Sequence, residues 1–138
     1  MSNTNVYRYG EQDFVLVPIA SATAVEIGDM LKLDTGLGVV VTAADDNLTL
    51  HAIAKQAHAA DSGDKTIRCA LIKPGVVWEF ALDAETDIAY GDKLQISGAQ
   101  ELTKSDTDPV AIAVETNATA TSIKCIFMSS VLLTGDAS

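Results

Sequence analysis

Val25 to Leu33 reads VEIGDMLKL, and sixty-three residues later Ile88 to Ile96 reads IAYGDKLQI. Gly28-Asp29 falls on Gly91-Asp92, Leu31 on Leu94 and Leu33 on Ile96. Backwards the match runs without a gap, Phe14–Ile19 (FVLVPI) lying over Val77–Leu82 (VWEFAL). Forwards it continues with two slips. Ala52-Ile53-Ala54 recurs as Ala111-Ile112-Ala113, and Ile67-Arg68-Cys69 as Ile123-Lys124-Cys125, so the offset falls from 63 to 59 to 56. Loops tolerate such deletions. A unit of roughly 55 residues stated twice is the first constraint on the fold.

The units themselves read as β. Val76, Trp78, Phe80 and Leu82 alternate with Val77, Glu79 and Ala81, a period-two pattern that predicts a strand with one buried face. Turn residues recur between short β-branched runs, as in Gly28-Asp29, Asp34-Thr35-Gly36, Pro74-Gly75, Gly91-Asp92 and Ser97-Gly98. Strands are expected over Phe14–Ile19, Met30–Leu33, Leu37–Thr42, Leu48–Ala54, Thr66–Ile72, Val76–Leu82, Lys93–Ile96, Glu101–Thr103, Pro109–Glu115 and Thr121–Met128, with a last short one at Val131–Leu133. Pro18 suits an edge strand. The expected architecture is all-β: one small barrel or sandwich (14–133) from two repeated halves, about 14–72 and 77–128, with an N-terminal arm (1–13) and a polar tail (134–138). At 138 residues such a chain buries enough surface to fold without disulfides or metal.

Charge removes one class of partner. Nineteen acids against nine bases give a net charge of -10, which repels nucleic acid. The polar N-terminus has no signal-peptide core, and no apolar run approaches a membrane span, so synthesis in a cytoplasm and no membrane partner are expected. Cys69 and Cys125 occupy equivalent repeat positions in apolar runs and read as small core residues.

Catalytic patterns are hard to find. Gly63-Asp64-Lys65-Thr66 ends like a phosphate loop, but the upstream glycine is missing and an acid stands where phosphate would approach. His51 and His58 fall beside a soft, alanine-rich segment and read as partly exposed loop residues, not zinc ligands. Glu79 alternates with Trp78 and Phe80 and so faces outward. Asp29 and Asp92 follow their glycines, the reverse of the aspartic-protease order, and read as turn residues. No enzyme activity, cofactor or metal is expected.

The order of these features resembles the small β-barrel capsid decoration (cement) proteins of tailed bacteriophages. It is carried by the V/I-x-x-GD-x-L turn-strands, AIA followed by a charged loop, GDKTIRCAL, the aromatic strand GVVWEF, the second GDKL and AIAVET…SIKC, from about Val15 to Met128. The resemblance implies a non-enzymatic protein, usually a trimer, that binds the outside of an expanded capsid and bridges major capsid subunits. Its location would be the virion exterior. The arm matches no motif; an arm with exposed rings is either a disordered leader or a segment that adds a strand to a partner. Partner contacts are therefore expected at Tyr7, Arg8, Tyr9 and the edge residue Phe14, and the arm is expected to be dispensable for stability. The alternative is a host-surface or carbohydrate-binding β domain.

Overall fold

A computed structural model describes residues 3, 5–42 and 50–128. Among them are eleven strands and no helix. In chain order they are β1 (Val6–Tyr9), β2 (Phe14–Pro18), β3 (Met30–Asp34), β4 (Leu37–Val40), β5 (Leu50–Ala54), β6 (Thr66–Leu71), β7 (Val77–Ile88), β8 (Lys93–Gly98), β9 (Glu101–Lys104), β10 (Ala111–Ala113) and β11 (Asn117–Phe127). The protein is all-β. Strands β7, β11, β10, β8 and β9 close into a barrel through a parallel pairing of Leu82 with Leu102, and β1 lies along β7. The other five strands form a second sheet in the order β2-β6-β5-β3-β4.

Replace β2 to β6 by β7 to β11 in sequence order and the second sheet's strand order becomes the barrel's. Registers agree as well. Val15 faces Cys69 and Val17 faces Ile67, as Trp78 faces Cys125 and Phe80 faces Ile123. Leu31 faces Ala52 as Leu94 faces Ala111. Even the parallel closure has a counterpart, an isolated bridge from Ile19 to Gly38.

Two cores result. The barrel is filled by Trp78, Phe80, Leu82, Leu94, Ile96, Leu102, Ile123, Cys125 and Phe127, and its rings meet edge to face, Phe80 to Phe127 at 5.1 Å and Trp78 to Phe80 at 6.2 Å. Trp78 is the buried anchor its alternation predicts. Val17, Leu31, Ala52, Ala54, Ile67 and Cys69 make the smaller core inside the second sheet. The opposite face of that sheet, with Met30, Ile53 and Ala70, joins the barrel's cluster. Burial on both faces explains why Leu50–Ala54 shows imperfect alternation.

Several expectations change. Strand β7 runs to Ile88, not Leu82, and β11 begins at Asn117 where a loop is expected. Asp83, Ala84, Glu85 and Asp87 are exposed, so this ribbon has little apolar alternation to read; its ladder pairs Ala120 with Thr86 and Asn117 with Ile88 across bulges. Strand β10 is only three residues, Ala111–Ala113, starting after Pro109, which lacks a ladder donor, and ending short of the expected Glu115. Pro18 does lie on the terminal strand of its sheet. Val131–Leu133 lies outside the described residues.

The arm departs most. Its residues Val6–Tyr9 pair antiparallel with β7 of the same chain, and Tyr7 packs edge-on against Trp78 at 5.8 Å. Asn5 is buried where β7 changes neighbour from β1 to β9. Its Oδ1 accepts from the Ala81 amide at 3.3 Å, and its Nδ2 donates to the Gly28 carbonyl at 3.2 Å. Nearby, the buried Gln100 side chain receives the Met30 amide and donates to the Met30 and Val41 carbonyls at 3.1 and 3.0 Å. Two amides thus stitch barrel to sheet, supplying bonds a buried strand edge would otherwise lack.

Candidate partner-binding face

Strand β2 alternates cleanly. Val15 and Val17 turn toward the smaller core, while Phe14 and Leu16 turn outward, 42% and 68% exposed. Across the ladder Leu16 faces Arg68, whose guanidinium lies 4.0 Å from the Phe14 ring centroid. The Arg68 carbonyl accepts the Lys55 amide at 2.9 Å. The Lys55 ammonium in turn sits over two rings, 5.2 Å from Tyr7 and 5.4 Å from Trp78. A cleft of about 260 Å³ opens there, with Val6, Ile27 and Lys55 among its walls. Apolar, aromatic and cationic groups therefore run continuously from the β2 edge to the seam with the barrel.

The electrostatics of this face run against those of the chain. No carboxylate forms an ion pair with Lys55 or Arg68 among the described residues. Burial, and then the Arg68 charge, pull the Lys55 ammonium below its ordinary pKa. Each cation rests on an aromatic ring instead, a contact worth about 0.5–1 kcal/mol at exposed sites.

Of the four residues expected to bind a partner, Tyr7 and Phe14 belong to this face. Arg8 does not. It projects from the other side of β1 and pairs with Glu79, its Nε donating at 2.8 Å. Glu79 is outward as expected but not simply solvated: the Ser122 hydroxyl donates to it at 2.7 Å, and that bond followed by Arg8 lowers its pKa. Tyr9 is exposed beyond a register shift between β1 and β7. Lys55 and Arg68 escape a reading of the sequence, because what marks them is the lack of an ion-pair partner among the described residues; Leu16 escapes it because its exposure beside Arg68 is set by the ladder.

The remaining candidates resolve as structure. His58 is buried, not a loop residue in solvent, with Nδ1 2.6 Å from the Thr23 carbonyl and Nε2 2.9 Å from the Asp64 carbonyl. Those two acceptors favour the imidazolium and raise its pKa against the cost of burial. His51 lies half-buried in β5, where burial lowers its pKa. Cys69 and Cys125 are free, buried thiols; burial pushes Cys69 up to about 12 and Cys125 higher. No metal-binding cluster occurs among the described residues. A second cleft of about 520 Å³ borders Asp29, His58 and Gln100, but each of these spends its polar atoms on the chain itself. No protein-family model matches the sequence, and no curated protein matches it.

Proposed function

We propose that this chain is a structural binding protein that decorates a tailed-bacteriophage capsid, gripping major capsid subunits on the outer surface and acting as a homo-oligomer, most simply a trimer. The observation that carries the reading is the apolar and cationic face along β2, Arg68 and Lys55, without an ion-pair partner among the described residues and presented by a body with two cores. Two packed cores and an exposed, chemically distinct surface support a clamping role. The likeness of the paired GD turns and AIA strands to cement proteins supplies the kind of partner. We further propose that the two similarly wired halves descend from one ancestral half by copying.

Cosedimentation of the purified protein with expanded, undecorated capsids tests the reading. Saturable binding at a fixed ratio to the major capsid subunit is expected. Failure to bind at micromolar concentration would remove it. Light scattering on the free protein is expected to give an oligomer; a monomer alone would count against the trimer.

A further inference from the structure

Strand β7 of the barrel has β11 on one side and β1 on the other, and β1 covers it at Val77, Trp78 and Glu79. The corresponding residues of the second sheet are Phe14, Val15 and Leu16, from the gapless offset of 63. There β6 stands where β11 stands, but the side equivalent to β1 carries no strand among the described residues. One of two matching slots is filled by an extended segment of the chain; the other is open among the described residues. An open edge of main-chain donors and acceptors is a template for strand addition.

The chemistry around the open slot differs from that of the filled one. In the barrel the outward residue on the edge strand is Glu79, and the added strand brings Arg8 to meet it. On β2 the equivalent residue is Leu16, with Arg68 opposite and Lys55 beyond. A segment carrying a basic residue like Arg8 would there set like charges together. A segment whose outward-facing side chains, at every second position, include both aliphatic residues and a carboxylate would cover Phe14 and Leu16 and neutralise Arg68 on the same face, within a chain whose net charge of -10 otherwise repels acids.

We infer that the open edge of β2 receives an extended, acidic and aliphatic segment of the capsid subunit as an added strand, with Arg68 as its charge partner and Lys55 reinforcing the field. The inference rests on the capsid-binding reading and names the contact within it.

The test combines cosedimentation on expanded capsids with hydrogen exchange of the β2 amides. Wild type is expected to bind and to gain protection at residues 14–17 on binding. Leu16→Asp and Arg68→Glu, both at exposed side chains, are expected to lose at least tenfold in affinity with only a small change in Tm, while Arg68→Lys loses less. Binding is expected to weaken as salt is raised from about 0.05 to 0.5 M, since the Debye length shortens severalfold. If wild type does not bind, the capsid reading fails and takes the inference with it. If wild type binds but both charge-altering variants bind equally well, or the new protection lies elsewhere, the inference alone falls. It also falls if the free protein already protects 14–17 and loses that protection on dilution, which makes a second copy the occupant. Loss of such protection on removing 129–138 makes the occupant the chain's own terminus and overturns the inference in the same way.

Discussion

Asp29 and Asp92 hold their turns with the same bond: Asp29 Oδ2 accepts the Glu26 amide at 2.9 Å, and Asp92 Oδ2 accepts the Ala89 amide at 2.8 Å. The match extends outward from there. Gly28 donates to the Ala54 carbonyl and Gly91 to the Ala113 carbonyl, each at 2.8 Å, and each glycine has φ near +95°. The amides of Ala54 and Ala113 donate in turn to the carbonyls of Asp29 and Asp92. At both tips a large apolar residue, Ile27 or Tyr90, stands exposed.

The surroundings of the two glycines differ, and that difference is measurable. A Cβ on Gly28 would lie 2.5 Å from Asn3 Oδ1 and 2.7 Å from the Asn5 carbonyl oxygen, whereas one on Gly91 would meet nothing within 4 Å. Gly91→Ala then suffers only the left-handed backbone penalty, about 1–2 kcal/mol. Gly28→Ala adds displacement of the arm and is expected to cost about 3 kcal/mol or more. Chemical denaturation of the two variants checks this; equal losses would mean the arm does not press on Gly28.

Burial separates another matched pair. Ile53 is fully buried between sheet and barrel, while its counterpart Ile112 is 37% exposed. Ile53→Ala is expected to cost about 2–5 kcal/mol, as for large core truncations, and Ile112→Ala clearly less. Similar costs would place the seam between the halves somewhere other than β5.

These pairs show what can be read from the chain. The glycine turns, the AIA runs and the Trp78 strand announce themselves because each rests on local chemistry: a positive φ, small residues in a tight ladder, or period-two burial. The Asp83–Asp87 ribbon does not, since it is held mainly by main-chain ladder bonds, which leave no trace in side-chain polarity. Asn5 and Gln100 are equally opaque, being polar residues whose partners lie 76 and 70 positions away. For the docking face, Phe14 and Tyr7 are legible as rings near an edge. Arg68 and Lys55 are not, because a cation becomes conspicuous only when the folded surroundings withhold an acid.

The arm pairs with β7 and packs on Trp78, so the expectation that it is dispensable for stability is replaced. Deleting residues 1–10 exposes Trp78, strips the β7 edge and leaves the Ala81 amide without Asn5. A marked fall in Tm is expected. Gln100→Leu is the narrower test: it leaves buried main-chain groups of Met30 and Val41 with fewer partners, at about 1–3 kcal/mol per unsatisfied group. An unchanged Tm in both variants would show that the two amides do not join the halves.

Histidine titration gives opposite signs within one molecule. For His58 the folded pKa is raised above 6.5, so its stabilisation is fully present below pH 6.5 and is lost as pH rises through the folded value. For His51 the folded pKa is lowered, so its contribution is present above pH 6.5 and is lost as pH falls through the folded value. Replacing His58 by Gln is therefore expected to reduce stability more at pH 6 than at pH 9, because glutamine cannot give both carbonyls a charged donor. Nuclear magnetic resonance titration of the two rings should place His58 above 6.5 and His51 below it. Coincident midpoints, or a His58→Gln cost that grows toward alkaline pH, would show that the bonds to Thr23 and Asp64 do not hold the imidazolium.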